Sequence, residues 1–166
     1  MCEFRRLAPQ DIPRIQQVFE SQAVYTKNVF GRSVNADDGE RALAAEPPDA
    51  TRGAKMMYGL FDGDRMLGLI DFVLHYPTRD TVHIGLLMVD KSVEGQGYGR
   101  RLHNELLAML RNRPEITTLH LYIVDTNSDT ALPFWRKFSY LPTGESLPWR
   151  QNFVSCYARG YAAVIR

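Results

Sequence analysis

The stretch "VDKSVEGQGYGRRLHNELLAML", Val89 to Leu110, decides how the chain is read. Gly95, Gly97 and Gly99 alternate between an apolar run, "GLLMV", and a segment whose Leu102, Leu106, Leu107 and Leu110 share one helical face. Glycine has more backbone freedom to lose than any other residue, so a cluster at a strand-to-helix junction marks main chain left free to approach something. A helix N-terminus carries roughly half a positive charge and unpaired N–H groups, which favour an anion. The amides from Gly95 to Arg100, with Arg100 and Arg101 as cationic donors, therefore predict a pyrophosphate cradle. A dinucleotide fingerprint would run G-x-G-x-x-G, and a P-loop would end Gly-Lys before Ser or Thr. Here the run is G-x-G-x-G, followed by Arg100 and Arg101.

Working outward, "EFRRLA" reads as a strand, and Asp11 is the expected N-cap of a helix with Ile12, Ile15, Val18 and Phe19 on one face. The pattern weakens from Val24 to Lys55, where one short helix is predicted from Asp38 to Ala45, closed by Pro47 and Pro48. "AKMMYGLFDGDRMLGLIDFVLHY" predicts two strands turning at Asp62-Gly63-Asp64, and "DTVHIGLLMV" a third, buried strand after a break at Pro77. Beyond the glycine segment come a strand, "TTLHLYIV", a helix, "SDTALPFWRKF", and two closing strands, "YLPTGESLP" and "QNFVSCYARGY". This order predicts a mixed α/β (α+β) architecture.

The 166 residues, 45% hydrophobic, suffice for one core, so a single domain over residues 1–166 is expected. Twenty basic against nineteen acidic side chains leave a net charge of +1, too little to hold a polyanion, so nucleic acid is not an expected partner. Cys2 and Cys156 lie far apart without a CxxC or His spacing, and neither a disulfide framework nor a metal site is expected. The opening "MCEFRRLAPQDIPRI" lacks an apolar signal core, and no run approaches the roughly 20 apolar residues of a membrane span. The expectation is a soluble, cytoplasmic protein without a membrane partner.

Residues Val82 to Tyr140 resemble the GNAT superfamily of acyl-CoA-dependent N-acetyltransferases. The family motif, a strand ending in valine and then Q/R-x-x-G-x-G/A at the start of a helix, is similar to "GLLMV", "DKSV" and Glu94-Gly95-Gln96-Gly97-Tyr98-Gly99. A second element, N-x-x-A-x-x-F/L-Y with Gly-Phe soon after, is similar to "NSDTALPFWRKFSY". There are three departures. Glu94 replaces Gln or Arg, leaving a carboxylate near the cradle; the family Asn falls on Ser128, with Asn127 one residue early; and Ser139-Tyr140 replaces Gly-Phe.

The resemblance implies a central, mostly antiparallel sheet flanked by helices, with two parallel strands, Thr81 to Val89 and Thr118 to Val124, splayed apart. Acetyl-CoA is the implied cosubstrate. Its pantetheine would pair with free backbone groups of Leu87 and Val89 beside Met88, and its pyrophosphate would sit on Gly95, Gln96, Gly97, Tyr98, Gly99 and Arg100. Asn127, Ser128 and Trp135 complete the implied cofactor set. Met88 and Leu86, as buried strand hydrophobes, are expected to pack with their side chains.

The implied reaction is direct attack of a primary amine on the acetyl thioester. An amine of pKa near 10.4 is neutral to only about one part in a thousand at pH 7, a cost of roughly 4 kcal/mol, so a base is needed. The family position, six residues before Val89, is His83, the candidate catalytic base. Asp71, His75, His120, Tyr122 and Asp125 are its rivals on neighbouring strands. The family's acid tyrosine is replaced by Trp135, whose indole does not donate a proton, leaving Tyr122, Tyr140, Tyr157 or solvent. Cys156 has no partner and no G-x-S-x-G elbow exists, which disfavours a covalent route. Tyr25, Phe30, Asp37, Asp38, Glu40 and Glu46 form an aromatic and acidic set suited to a cationic amine. A small-molecule amine is the expected acceptor. A protein amino group, or acyl-CoA sensing without turnover, is the alternative. Homodimerisation is common to such folds, with no interface legible here.

Overall fold

A computed structural model describes residues 1–166. The elements are β1 (Cys2–Arg6), α1 (Ile12–Ser21), α2 (Ala23–Phe30), α3 (Asp38–Ala44), β2 (Lys55–Asp62), β3 (Arg65–Leu74), β4 (Thr81–Val89), α4 (Tyr98–Leu110), β5 (Thr118–Val124), α5 (Ser128–Arg136), β6 (Leu141–Gln151) and β7 (Val154–Val164). They form one seven-stranded sheet in the order β1-β2-β3-β4-β5-β7-β6. Every neighbouring pair is antiparallel except β4 and β5.

Strand alternation divides the apolar residues between two layers. Ile70, Phe72, Val82, Ile84, Leu119 and Leu121 pack with Leu102, Leu106 and Leu110 of α4 on one face. Leu69, Met57 and Met88 pack with Ile15, Val18 and Phe19 of α1 on the other. Asp11 does not cap α1. Its carboxylate turns back to the Arg5 guanidinium (2.8 and 3.0 Å) and the Ala8 N–H (3.0 Å), closing the turn between β1 and α1. The weakly patterned region holds α3 as expected and also α2, which its short length and mixed order of apolar and polar residues concealed.

The parallel pair is short. β4 and β5 pair only from Thr81↔Thr118 to Ile84↔Leu121, while β4 stays paired to β3 as far as Val89 and β5 to β7 as far as Val124. The break coincides with a bulge. Asp71 faces Leu86 and Phe72 faces Ile84, so Gly85 is an extra residue, and a bulge bends its strand and increases its twist. Asp71 fits it: a side chain on residue 85 would overlap Asp71 Oδ1, and the nearby backbone N–H groups of Gly85 and Leu86 favour its charged form. A bare glycine opposite a buried carboxylate thus opens the sheet at its centre.

Candidate active site

The glycine segment lies at the mouth of this opening. Gly95 (φ 80°) and Gly97 (φ 89°) adopt left-handed backbone, which glycine enters without the steric penalty of a Cβ, and Gly97 is the N-cap of α4. The helix ladder starts with Arg101 N–H donating to Gly97 O (3.1 Å), and Gln96 N–H donates to Val93 O (3.3 Å). The N–H groups of Gly95, Gly97, Tyr98, Gly99 and Arg100 have no protein acceptor. Gly99 serves a different purpose from its neighbours: a Cβ there would stand 2.9 Å from Phe134 Cε2, so its bareness seats α4 against α5. Arg100 is exposed beside the loop, whereas Arg101 donates to Cys2 O (3.2 Å) and faces Glu105, away from the role of second donor expected for it. Glu94 accepts from Gln22 Nε2 and Lys91 Nζ, both at 3.0 Å; these two bonds hold its carboxyl below the usual range and match its charge.

Between the splayed strands runs a cavity of about 580 Å³. Leu87, Met88, Val89, Gly95, Gly97, Tyr98, Gly99, Arg100, Asn127 and Trp135 of the expected cofactor set line it, and Gln96 and Ser128 do not. Ser128 Oγ donates to Asp125 O (2.8 Å), so Asn127 is the member of that pair on the cleft. Asp90 N–H donates to Leu67 O (2.8 Å) on the β3 side. Alternation then turns Met88 towards β3 as well, and aims the N–H and C=O of Leu87 and Val89 into the cleft. Val89 O already accepts from Gln22 Nε2 (2.8 Å), a contact that the apolar motif gave no means of foreseeing.

A second cavity, about 400 Å³, lies under α2 and α3 and is lined by Lys55, Asp71, His83 and Arg32 among others. Both cavities share Tyr25, Gly85 and Leu86, so they meet at the β4 bulge. Of the expected acceptor-side residues, Tyr25, Phe30, Asp38 and Glu46 line it; Asp37 instead pairs with Arg41 (2.7 Å), and Glu40 is not at the wall. Asp38 is held by both nitrogens of the Arg32 fork (2.8 and 2.9 Å). Burial pushes the Asp71 carboxyl up to about 6 despite Lys55 Nζ at 3.5 Å.

His83 lines this second cavity, with its Nδ1 3.0 Å from His120 Nδ1. His120 Nε2 lies 2.7 Å from Glu145 Oε2. Burial, and then the neighbouring His120 ring, push His83 down to about 4, so it is neutral at pH 7. The rivals separate: Asp71 shares the cavity, His120 stands behind His83, and Tyr122 lines the first cavity. His75 turns its Nδ1 to Arg79 O (2.6 Å) and Asp125 is clamped by Arg159 (2.7 Å); neither lines a cavity.

The fold and motif have counterparts among known proteins. The sequence profile described as the Acetyltransferase (GNAT) family matches residues 16–140. The chain belongs to the GNAT family. A comparison with curated protein sequences gives no match. Among solved structures, an acetyltransferase from Thermus thermophilus is similar at TM-score 0.78 and 19% identity, over 99% of this chain and 97% of that one. An acetyl transferase from Salmonella typhimurium that modifies the N-terminal serine of a 50S ribosomal subunit protein is similar at TM-score 0.78 and 17% identity, over 99% and 95%. An N-acetyltransferase from Staphylococcus aureus gives TM-score 0.73 and 16% identity over 100% and 99%.

In this GNAT domain the phenols expected to stand in for the family tyrosine are dispersed. Tyr140 is buried, its hydroxyl 3.0 Å from His103 Nε2, and Tyr157 lines neither cavity. Trp135 packs edge-on against Tyr140 and Phe134 with one side on the cleft wall. Tyr25, placed where the cavities join, is the phenol that the GNAT motifs did not reveal; burial, and then Asp71, raise its pKa, so it keeps its proton. No helix is long and apolar enough to cross a membrane.

Proposed function

We propose that this GNAT domain transfers an acetyl group from acetyl-CoA to the primary amine of a small molecule. The observation that carries this reading is the arc of unpaired N–H groups, Gly95 and then Gly97 to Arg100, at the open end of a parted strand pair, with a second cavity joining the cleft at Gly85. Amides at a helix N-terminus suit a pyrophosphate, and the inward-facing backbone of Leu87 suits the amides of a pantetheine chain. When bound, acetyl-CoA supplies the activated acyl group. The 400 Å³ cavity under α2 and α3 has the size of a small-molecule site, which favours a small amine as acceptor.

In this reading the exposed Glu46 carboxylate attracts a cationic amine to the second cavity, and Asp71, paired with Lys55, holds the bulge where the cavities meet. Leu87 N–H faces the developing oxyanion. His83, neutral at pH 7, accepts the nitrogen's proton as that nitrogen bonds to the carbonyl carbon and its N–H becomes more acidic. Tyr25 donates a hydrogen bond to the departing thiolate. The test is coenzyme A thiol release across polyamines, aminoglycosides, amino acids and peptides, with calorimetry of coenzyme A binding alongside. Turnover with a small amine supports the proposal, and preference for peptides moves the acceptor to protein. Binding without transfer to any amine makes the domain a sensor, and absence of binding removes the reading.

A further inference from the structure

Glu145 lies beyond the residues that the family profile matches, on the exposed strand β6, yet the chain goes to some length to place it. Regular pairing of β6 with β7 stops at Pro142↔Tyr161 and resumes at Ser146↔Arg159. Thr143, Gly144 and Glu145 therefore all stand opposite Gly160. Gly144 takes left-handed backbone (φ 89°), and a Cβ on Gly160 would come within 2.5 Å of both Thr143 Oγ1 and Glu145 Oε2. The bulge thus folds two side chains over a bare glycine. Thr143 Oγ1 donates to Glu145 Oε2 (2.6 Å) and Tyr122 OH to Oε1 (3.3 Å), fixing the carboxylate against His120.

With His120 in its neutral form, these contacts order the protons. A carboxylate only accepts, so His120 carries its proton on Nε2 and donates it to Glu145. Neutral His120 then has a lone pair on Nδ1, and the 3.0 Å contact requires His83 to donate from its own Nδ1. That leaves the lone pair of His83 on Nε2, which has no protein partner and is not sealed from solvent. The ring lines the second cavity.

We infer that Glu145 and His120 are positioning residues that lock His83 into the tautomer presenting a basic Nε2 to the acceptor amine. The inference rests on the functional reading above. As the amine nitrogen bonds to the acetyl carbon and the carbon–sulfur bond breaks, the amine proton passes to His83 Nε2. His83 Nδ1–H then shares the positive charge with His120 Nδ1, and His120 Nε2–H with Glu145. The thiolate leaves with the bonding pair, accepts a hydrogen bond from Tyr25 and takes its proton from solvent, so nothing is oxidised or reduced.

The titratable groups around His83 are Tyr76 before β4, His120 and Tyr122 on β5 and Glu145 on β6. Across the cavity stand Asp71 with Lys55 and the Arg32–Asp38 pair, with Tyr25 of α2 and the exposed Arg41 and Glu46 further round its wall. Among these, Glu145 is the carboxylate that reaches His83 through a hydrogen-bonded ring, so its removal acts on His83 specifically.

The wild-type chain, labelled with ¹⁵N, tests the tautomers directly. Long-range ¹H–¹⁵N spectra at pH 7 are expected to show His83 protonated on Nδ1 and His120 on Nε2; His83 protonated on Nε2 would overturn the inference without any variant. With the amine found by the panel, Glu145→Gln is expected to lower kcat about 10-fold or more, to leave KM for acetyl-CoA within about 2-fold and to move the acid limb to lower pH. Glu145→Asp should recover part of the rate. In a His83→Ala background Glu145→Gln should cost nothing further, because both act through one group. An unchanged kcat and pH profile in Glu145→Gln, or an additive loss in the double variant, overturns the positioning role alone. Absence of transfer by the wild-type chain overturns the functional reading and this role with it.

Discussion

Gly97→Ala isolates the cradle from the fold. Gly97 has φ 89° and Gly53, in the turn before β2, has φ 79°; a Cβ at either would meet nothing within 4 Å. Alanine in left-handed backbone costs about 1–2 kcal/mol, so both substitutions should lower stability by similar amounts without a clash. They differ in what the backbone faces. Gly53 lines neither cavity, whereas Gly97 N–H and Tyr98 N–H belong to the unpaired arc. If the Gly97→Ala backbone relaxes out of the left-handed region, those donors rotate away from their shared focus. A hydrogen bond to a charged group contributes about 1.5–3 kcal/mol, so losing one weakens binding by about 10- to 100-fold. Urea denaturation should report matching stability losses for Gly97→Ala and Gly53→Ala, and calorimetry with coenzyme A should show the affinity loss only in the former. Wild-type affinity in Gly97→Ala, at the stability of Gly53→Ala, would refute the argument that these amides hold a diphosphate.

Gly99→Ala should act through packing. The new Cβ, 2.9 Å from Phe134 Cε2, should cost about 1–3 kcal/mol in urea denaturation, and Phe134→Leu in the same chain should restore part of it. Stability should also fall on mild acidification. His83 and His103 are both held down to about 4, by burial and then by His120 or Arg100 respectively. The unfolded chain therefore binds more protons than the folded one as pH drops from about 6.5 towards 4. Asp71, held up to about 6 by burial, works in the opposite sense. The net expectation is a loss of roughly 2–3 kcal/mol between pH 7 and pH 5, flattened in His103→Phe, and a level profile would contradict it.

Most of the sheet was legible because its central strands are apolar runs bounded by turns that carry glycine or proline. The hairpin at Asp62-Gly63-Asp64 and the strand Thr81 to Val89 fall where the pattern placed them. The helix α2 was not legible: its eight residues, "AVYTKNVF", are too few and too mixed for a periodic signal. That loss concealed part of the site, because Tyr25 stands on α2 and Gln22 immediately precedes it. Asp11 misled in a different way, since a carboxylate before a helix resembles a cap until a guanidinium from β1 reaches it.

By itself the sequence determined most of the elements and the loop that frees backbone amides, because apolar runs, helical spacing and glycine's access to left-handed backbone are properties of neighbouring residues. The tertiary structure alone decided the rest. Gly85 could be recognised as the point where the sheet parts only once Asp71 lay across from it, and Glu145 joined His83 only when strands 62 positions apart folded onto one face. Hydrogen bonds and burial depend on distance in space, and the one-dimensional pattern records only distance along the chain.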